Sequence, residues 1–556
     1  MAPRFAVYTR AIMTDPSRPQ ISVAWALCLL AAPVLVQGVT RVLSDWSGAP
    51  HPALAVTLAA LAPVLVAGLV ALIRARSLAS VAWAAAALAG AALWTTSAAP
   101  MTAVAAAALA GWVAARWLPR IASAAPVPRG RVTAALWGVL AVVAVVQVGR
   151  MSVFMADPLQ RYGALAPTAE FAARHSCLSS YVHGAELARR GDANIYDDRY
   201  GYVETGPGPE LQPVITTGPL TMDTYEYPPQ FLPLPRLMLA ISRDFMAIRA
   251  LWFLMTAAVF VAVSLTLARW LGGEAERRAL LLIPAMFLAP PLLMTAYFGN
   301  FQLMAMGLAA LAMLWISRGR TRRGAALLAF VIGAKIFPGI LGVYLLAARR
   351  FAAAAWTAAF AALYAAGTLV LFGTRPFVDF FGYHLPRLAS GETFAFLSGP
   401  AEAMTNLGVF GLPFKLRVAG WSGSEADAWA LARQLSWGYT LVIVLLAAWA
   451  GWRAHSPADA HARVRIAGAW FGLLALAALR SPFAPPEALI PLVWALALSA
   501  AAARTRREVA LVVALWIVMM ILLPVPAPAA AIVSLTLQAT IYATATWLVL
   551  RSRRAA

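Results

Sequence analysis

The sequence predicts an all-α polytopic integral membrane protein. Of its 556 residues 62% are hydrophobic and only 12% charged, whereas soluble domains carry about a quarter charged residues and less than about half apolar ones. Apolar stretches of about 17 to 25 residues, the length a helix needs to cross the hydrocarbon core, recur along the whole chain. Arginine-bearing connectors punctuate them, and no short period-2 segments suggest a β-barrel.

The formal charge of +21 does not point to nucleic acid. Of 44 Lys and Arg residues only Lys335 and Lys415 are lysine, leaving 44 − 2 = 42 arginines. Most sit in short connectors, as Arg318, Arg320, Arg322, Arg323, Arg504, Arg506 and Arg507 do. That is the distribution of the positive-inside bias, not a stripe on one soluble face. Cys28 and Cys177 make no disulfide framework, since Cys28 falls in the first apolar run. No Cys/His cluster has zinc spacing, so neither a metal nor a cofactor is expected. Arg4, Arg10 and Arg18 precede an apolar run without a convincing cleavage site, which reads as a retained signal-anchor.

A basic, cytoplasmic N-terminus fixes the topology. Spans at roughly 22–40, 52–73, 78–98, 101–117 and 132–149 place Arg74, Arg76, Arg116, Arg120, Arg129 and Arg131 inside. This odd number of crossings puts the polar segment from Met151 to Glu226 outside, and long loops in compact proteins tend to be functional. Spans at roughly 250–271, 279–297 and 301–317 lead back to the SRGRTRRG connector. The run Ala325 to Ala348 has Lys335 and Pro338 at its middle and arginines at both ends. One crossing would put Arg349 and Arg350 outside, so two re-entrant half-helices with Lys335 at the outer turn fit better. Pro228 to Ser242, with four prolines, reads as an outer-leaflet amphipathic or re-entrant piece. Spans at roughly 352–372, 429–452, 464–480, 484–502, 508–523 and 527–550 complete the count of roughly 13–15. They leave Phe372 to Asp427, Arg480 to Glu487 and Leu523 to Pro528 outside.

The polar groups therefore gather on one face. Lys335, an ionisable group in an apolar run, is a functional hypothesis by default and suits a lipid-phosphate or sugar-phosphate ligand; the bland reading is a snorkelling or paired lysine. Asn300 and Gln302 in the Gly299–Gln302 turn suit sugar hydroxyls, or equally a tight helix–helix turn. Asn406 and Arg480 lie on the same face. The outer loop offers Asp157, His175, Asp192, Asp197, Asp198, Asp223 and Glu226 as proton acceptors for a hydroxyl. Most of these are solvated loop residues. Asp223 and Glu226 stand out because they abut the Tyr227-Pro228-Pro229 turn.

GDANIYD, YEYPPQFLPLPR, FGNFQ, RRGAA…GAKIFP…YLLAARRF, TNLGVFG and RSPFAPPE occur in that order over roughly residues 132 to 500. In them the chain resembles glycosyltransferase family 87, polytopic enzymes of the GT-C group that include polyprenol-phosphate-mannose-dependent mannosyltransferases. The resemblance implies a GT-C-like membrane domain over 132–556 with an extracytoplasmic loop at 151–227. Residues 1–131 then form an N-terminal extension of about four spans. It also implies a polyprenyl-phosphate sugar donor, mannose-like, a lipid or glycan acceptor, and residence in a bacterial cytoplasmic membrane. The family's general base is an aspartate early in the first large outer loop. Counting back nineteen residues from Tyr196 reaches Cys177 instead, and a thiol near its ordinary pKa is a poor base for a sugar hydroxyl. Either His175, Asp157, Asp223 or Glu226 substitutes, with His175 the closest, or the alignment is offset, or the protein is inactive. Tyr227, Asn300, Gln302, Lys335, Asn406 and Arg480 would bind substrate. A lipid-linked sugar transporter or flippase would need a repeat and a polar path across the bilayer, and no convincing repeat is present. A catalytically inactive scaffold of the same fold is the remaining alternative.

Overall fold

The computed structural model describes residues 170–200 except 193, together with 216–454, 459–521, 525–551 and scattered positions between 140 and 166. The spans expected at 22–40, 52–73, 78–98 and 101–117, most of that at 132–149, and the extension over 1–131 lie outside the described residues.

The chain divides into two compact units, one of Met1–Ala164, Ser242–Leu254 and Ile283–Ala285, the other of Leu165–Ile241, Met255–Leu282 and Met286–Ala556. In the first, the buried Arg249 guanidinium donates to the carbonyls of Phe154 at 2.6 Å and Met155 at 3.3 Å. Asp157 belongs to this unit and accepts the Leu159 N–H at 3.0 Å.

The described chain is helical apart from one two-stranded hairpin. Among the described residues four helices are long and apolar enough to cross a membrane: Phe245–Leu271, Phe351–Phe372, Glu425–Trp452 and Pro528–Leu550. Only 11% of the apolar window of Phe351–Phe372 is buried, and Leu363, Val370 and Leu371 are exposed. An apolar face that wide is costly in water and at home in hydrocarbon.

The single span expected at 279–297 is instead three short helices, Gly273–Leu281, Ile283–Phe287 and Pro290–Phe298. Proline supplies the reason. Pro284, Pro290 and Pro291 sit in the first turns of the second and third helices, where a missing N–H costs nothing but an upstream helix cannot continue. Pro290–Phe298 and Gln302–Ser317 then meet at 113°. Gly299, in the left-handed region at φ 69°, makes that corner.

The run from Ala325 to Ala348 breaks where the sequence predicts. Thr321–Ala334 ends at Lys335, whose backbone is extended (φ −142°, ψ 122°), and Ile340–Ala347 follows a short 3-10 turn containing Pro338. Thr321–Ala334 packs on both Gln302–Ser317 and Phe351–Phe372. Gly324 permits the approach, since a Cβ there would lie 2.6 Å from the Ala312 carbonyl oxygen. Ala460–Ala478 packs likewise on Ile490–Ala502 and Pro528–Leu550.

The segments expected outside the membrane are more ordered than loops. Met151–Glu226 contains the helices Glu170–Arg174 and Cys177–Arg190 and the hairpin Thr216–Thr217/Leu220–Thr221, and 372–427 is a chain of short helical turns. Pro229–Phe231 and Pro233–Ile241 are helical, and the latter packs on Cys177–Arg190.

Candidate functional site

Cys177–Arg190 starts the site, with His175 two residues before its first turn. The His175 ring stacks on Phe171 (4.5 Å between centroids) and meets Phe298 edge-on at 4.9 Å. Asp223 arrives from the other end of the polar segment Met151–Glu226. The hairpin turns at Gly218-Pro219, Thr221 Oγ1 donates to the Arg174 carbonyl at 3.1 Å, and Ser179 Oγ donates to the Thr221 carbonyl at 3.1 Å. Ser179 Oγ also accepts the Asp223 N–H at 3.2 Å. One buried hydroxyl thus sets Asp223 beside the start of the helix. There His175 Nδ1 lies 3.3 Å from Asp223 Oδ1, with side chains 17% and 20% exposed, and His175 Nε2 lies 3.4 Å from Cys177 Sγ.

Burial is the largest influence on His175 and opposes charge, but Asp223 and Cys177 together outweigh it, and the imidazole is held well above its ordinary pKa. Burial pushes the Cys177 thiol up, against the pull of His175.

Tyr227 joins this pair to the bent helix corner. Its hydroxyl shares a 2.6 Å hydrogen bond with Tyr181 and donates to Asn300 Oδ1 at 3.5 Å. Asn300 Oδ1 also accepts the Gln302 N–H at 2.9 Å, and Asn300 Nδ2 donates to Cys177 Sγ at 3.6 Å. The Lys335 ammonium lies 4.7 Å from the Tyr227 ring centroid, a cation–π distance. Among the described residues Lys335 makes no salt bridge; Cys177, Glu226 and Glu487 act on it at longer range.

The backbone of the Tyr225–Pro228 turn is clamped. Tyr196 donates to the Tyr227 carbonyl at 3.0 Å, Tyr225 to the Pro228 carbonyl at 3.2 Å, and His384 Nε2 lies 3.3 Å from the Glu226 carbonyl. A Cβ at Gly184 would meet the Tyr225 ring at 2.7 Å, so the helix can take only glycine there without moving that ring. Burial holds His384 down at about 4, so it is neutral. Glu226 is pushed up to about 8, by burial first and the Asp223 charge second, against Lys335. Arg387 holds Asp198 at 2.8 Å and Glu392 at 2.9 Å.

His175, Asp223, Tyr227, Asn300 and Lys335 are therefore brought together, with Glu226 in electrostatic range and Gln302 contributing its backbone N–H. Asn406 and Arg480 make none of these contacts. Asn406 is fully buried; its Oδ1 accepts the N–H groups of Gly408 (2.8 Å) and Ala484 (3.0 Å), and its amide donates to the Pro482 carbonyl (2.7 Å). It pins the TNLGVFG motif to RSPFAPPE. Arg480 donates to Thr440 Oγ1 at 3.1 Å.

Two participants escape the sequence reading. Glu487 is 5% exposed, one of its carboxylate oxygens has no hydrogen-bond partner, and it acts on both His175 and Lys335. Its signal was an acid in the proline-rich RSPFAPPE segment between apolar runs. Cys177 registers in the sequence only as a missing acid, not as a neighbour of His175.

Residues 225–482 match the profile of glycosyltransferase family 87, which indicates a glycosyltransferase and agrees with the motifs that suggested that family. No curated protein and no solved structure matches the chain.

Proposed function

Taking residues 225–482 as a region of glycosyltransferase family 87, we propose that this protein moves a mannose-like sugar from a polyprenyl-phosphate donor to a lipid or glycan acceptor, at the extracytoplasmic face of a bacterial cytoplasmic membrane. The observation that carries the reading is the Lys335 ammonium, free of salt bridges among the described residues, held over Tyr227 next to the His175–Asp223 pair.

In an inverting displacement the acceptor oxygen bonds to the anomeric carbon as the bond from that carbon to the donor phosphate breaks. The acceptor proton must leave, and the phosphate gains a negative charge. The Asp223 carboxylate is the proton acceptor of the pair, and His175, 3.3 Å away, positions it. Lys335 balances the charge that grows on the leaving phosphate, an interaction stronger in the transition state than before it. Asn300 and Tyr227 supply the hydroxyl-binding groups of the sugar pocket. This assignment keeps a carboxylate as the accepting group although Cys177 stands where the resemblance places one.

The test is transfer in proteoliposomes of the purified full chain, supplied in turn with polyprenyl-phosphate mannose and with a nucleotide-activated sugar. Transfer from the lipid donor alone is expected. Transfer from the nucleotide sugar and none from the lipid donor would overturn the reading.

A further inference from the structure

Three chemically different metal donors converge at the start of Cys177–Arg190. One donor atom each from His175, Cys177 and Asp223 lies within 4.8 Å of the other two, and the imidazole–sulfur distance is already 3.4 Å. In a tetrahedral zinc site, with bonds of about 2.0–2.3 Å, neighbouring donors lie about 3.3–3.8 Å apart. Closing the set on an ion needs a movement of about 1 Å, within reach of side-chain rotation. The three side chains leave the fourth tetrahedral position to water.

We propose that His175, Cys177 and Asp223, with water in the fourth position, bind one thiophilic divalent cation of the zinc and cadmium class. The donor chemistry selects the class: thiolate and imidazole together favour a borderline or soft ion, while magnesium and calcium want oxygen alone. On binding, the thiol and any protonated His175 imidazole each lose a proton to solvent as the sulfur–metal and nitrogen–metal bonds form. Asn300, whose amide lies 3.6 Å from the sulfur, then becomes a hydrogen-bond donor to the bound thiolate. The geometry alone carries the proposal, independently of any transfer chemistry. The ligands stand two and forty-eight residues from His175 along the chain (177 − 175 and 223 − 175), which is why no zinc spacing is visible in the sequence.

The test uses purified full-length protein dialysed against cadmium, read by bound metal and by the ultraviolet sulfur-to-cadmium charge-transfer band. About one ion per chain is expected, with the band present. Cys177→Ser should lose the band and bind at least about tenfold more weakly, and His175→Gln and Asp223→Asn should weaken binding similarly. Cys28→Ser, at the other cysteine, should retain both signals. In that variant Cys177 is the sole thiol, so slower alkylation in the presence of cadmium tests the site without altering a ligand. A folded protein with no band overturns the proposal. So does a band kept in Cys177→Ser and lost in Cys28→Ser, or alkylation of Cys177 indifferent to cadmium. None of these readouts involves sugar transfer, so they stand or fall apart from the proposed function.

Discussion

Lys335 and Lys415 are the only lysines in the chain, and the larger unit treats them oppositely. Lys415 is fully buried and donates to Ser534 Oγ at 3.1 Å and Gln538 Oε1 at 2.9 Å. Gln538 in turn donates to the carbonyls of Leu407 at 2.7 Å and Gly408 at 3.2 Å, next to Asn406, whose amide is bonded to backbone on both sides. That region spends its polar groups on itself. Lys335 instead rests on an aromatic face, with the negative groups that act on it beyond ion-pair distance. Both are ionisable groups of a membrane protein, and both are functional hypotheses by sequence alone. Saturation separates them: a polar group whose bonds are all made holds the fold, and one left short of partners is available to a ligand.

Several substitutions sharpen or break this contrast. The largest effect belongs to Asp223→Asn, which keeps the shape but removes the accepting carboxylate; transfer should fall about 10³-fold in the proteoliposome assay. If it stays near the parent rate, the base lies elsewhere. On the saturated side, Asn406→Ala strands two buried N–H groups and one carbonyl, and should lower unfolding stability by about 3 kcal/mol. Denaturant unfolding in detergent checks it, and an unchanged midpoint would show that Asn406 is not a clamp. Gly184→Ala should cost about 2 kcal/mol, because the Tyr225 ring must move; the same measurement applies, with reduced transfer as a secondary sign that the Tyr225–Pro228 turn has shifted.

The smallest effect is a pH dependence. Glu226 holds its proton up to about 8 in the folded protein, while the unfolded chain releases it near the ordinary carboxylate value. The folded state therefore binds more protons between those limits, and its stability falls as pH rises through that window to about 8. Glu226→Gln should flatten this slope in thermal unfolding. A slope identical in both proteins would refute the assignment.

Sequence reading located the helices that length and hydropathy define, such as Phe351–Phe372 and Pro528–Leu550. At 279–297 hydropathy is continuous but Pro284, Pro290 and Pro291 break the helix, and proline overrides an apolar count. At Lys335 the same signal, Pro338, marks the break. The pairing of His175 with Asp223 was beyond reach, because it depends on a Gly218-Pro219 turn and on the Ser179 hydroxyl joining distant parts of the loop. Asn406 misled for a related reason: an amide in an outer segment reads as a ligand group until its backbone partners are known.

The central claim is that Lys335 serves a ligand and Lys415 the fold. Transfer from polyprenyl-phosphate mannose by Lys335→Ala and by Lys415→Met, each normalised to folded protein, tests it most directly. Lys335→Ala should lose about 10²-fold in rate with its unfolding midpoint unchanged, while Lys415→Met retains transfer. Full transfer by Lys335→Ala, or its loss in Lys415→Met alone, would contradict the account.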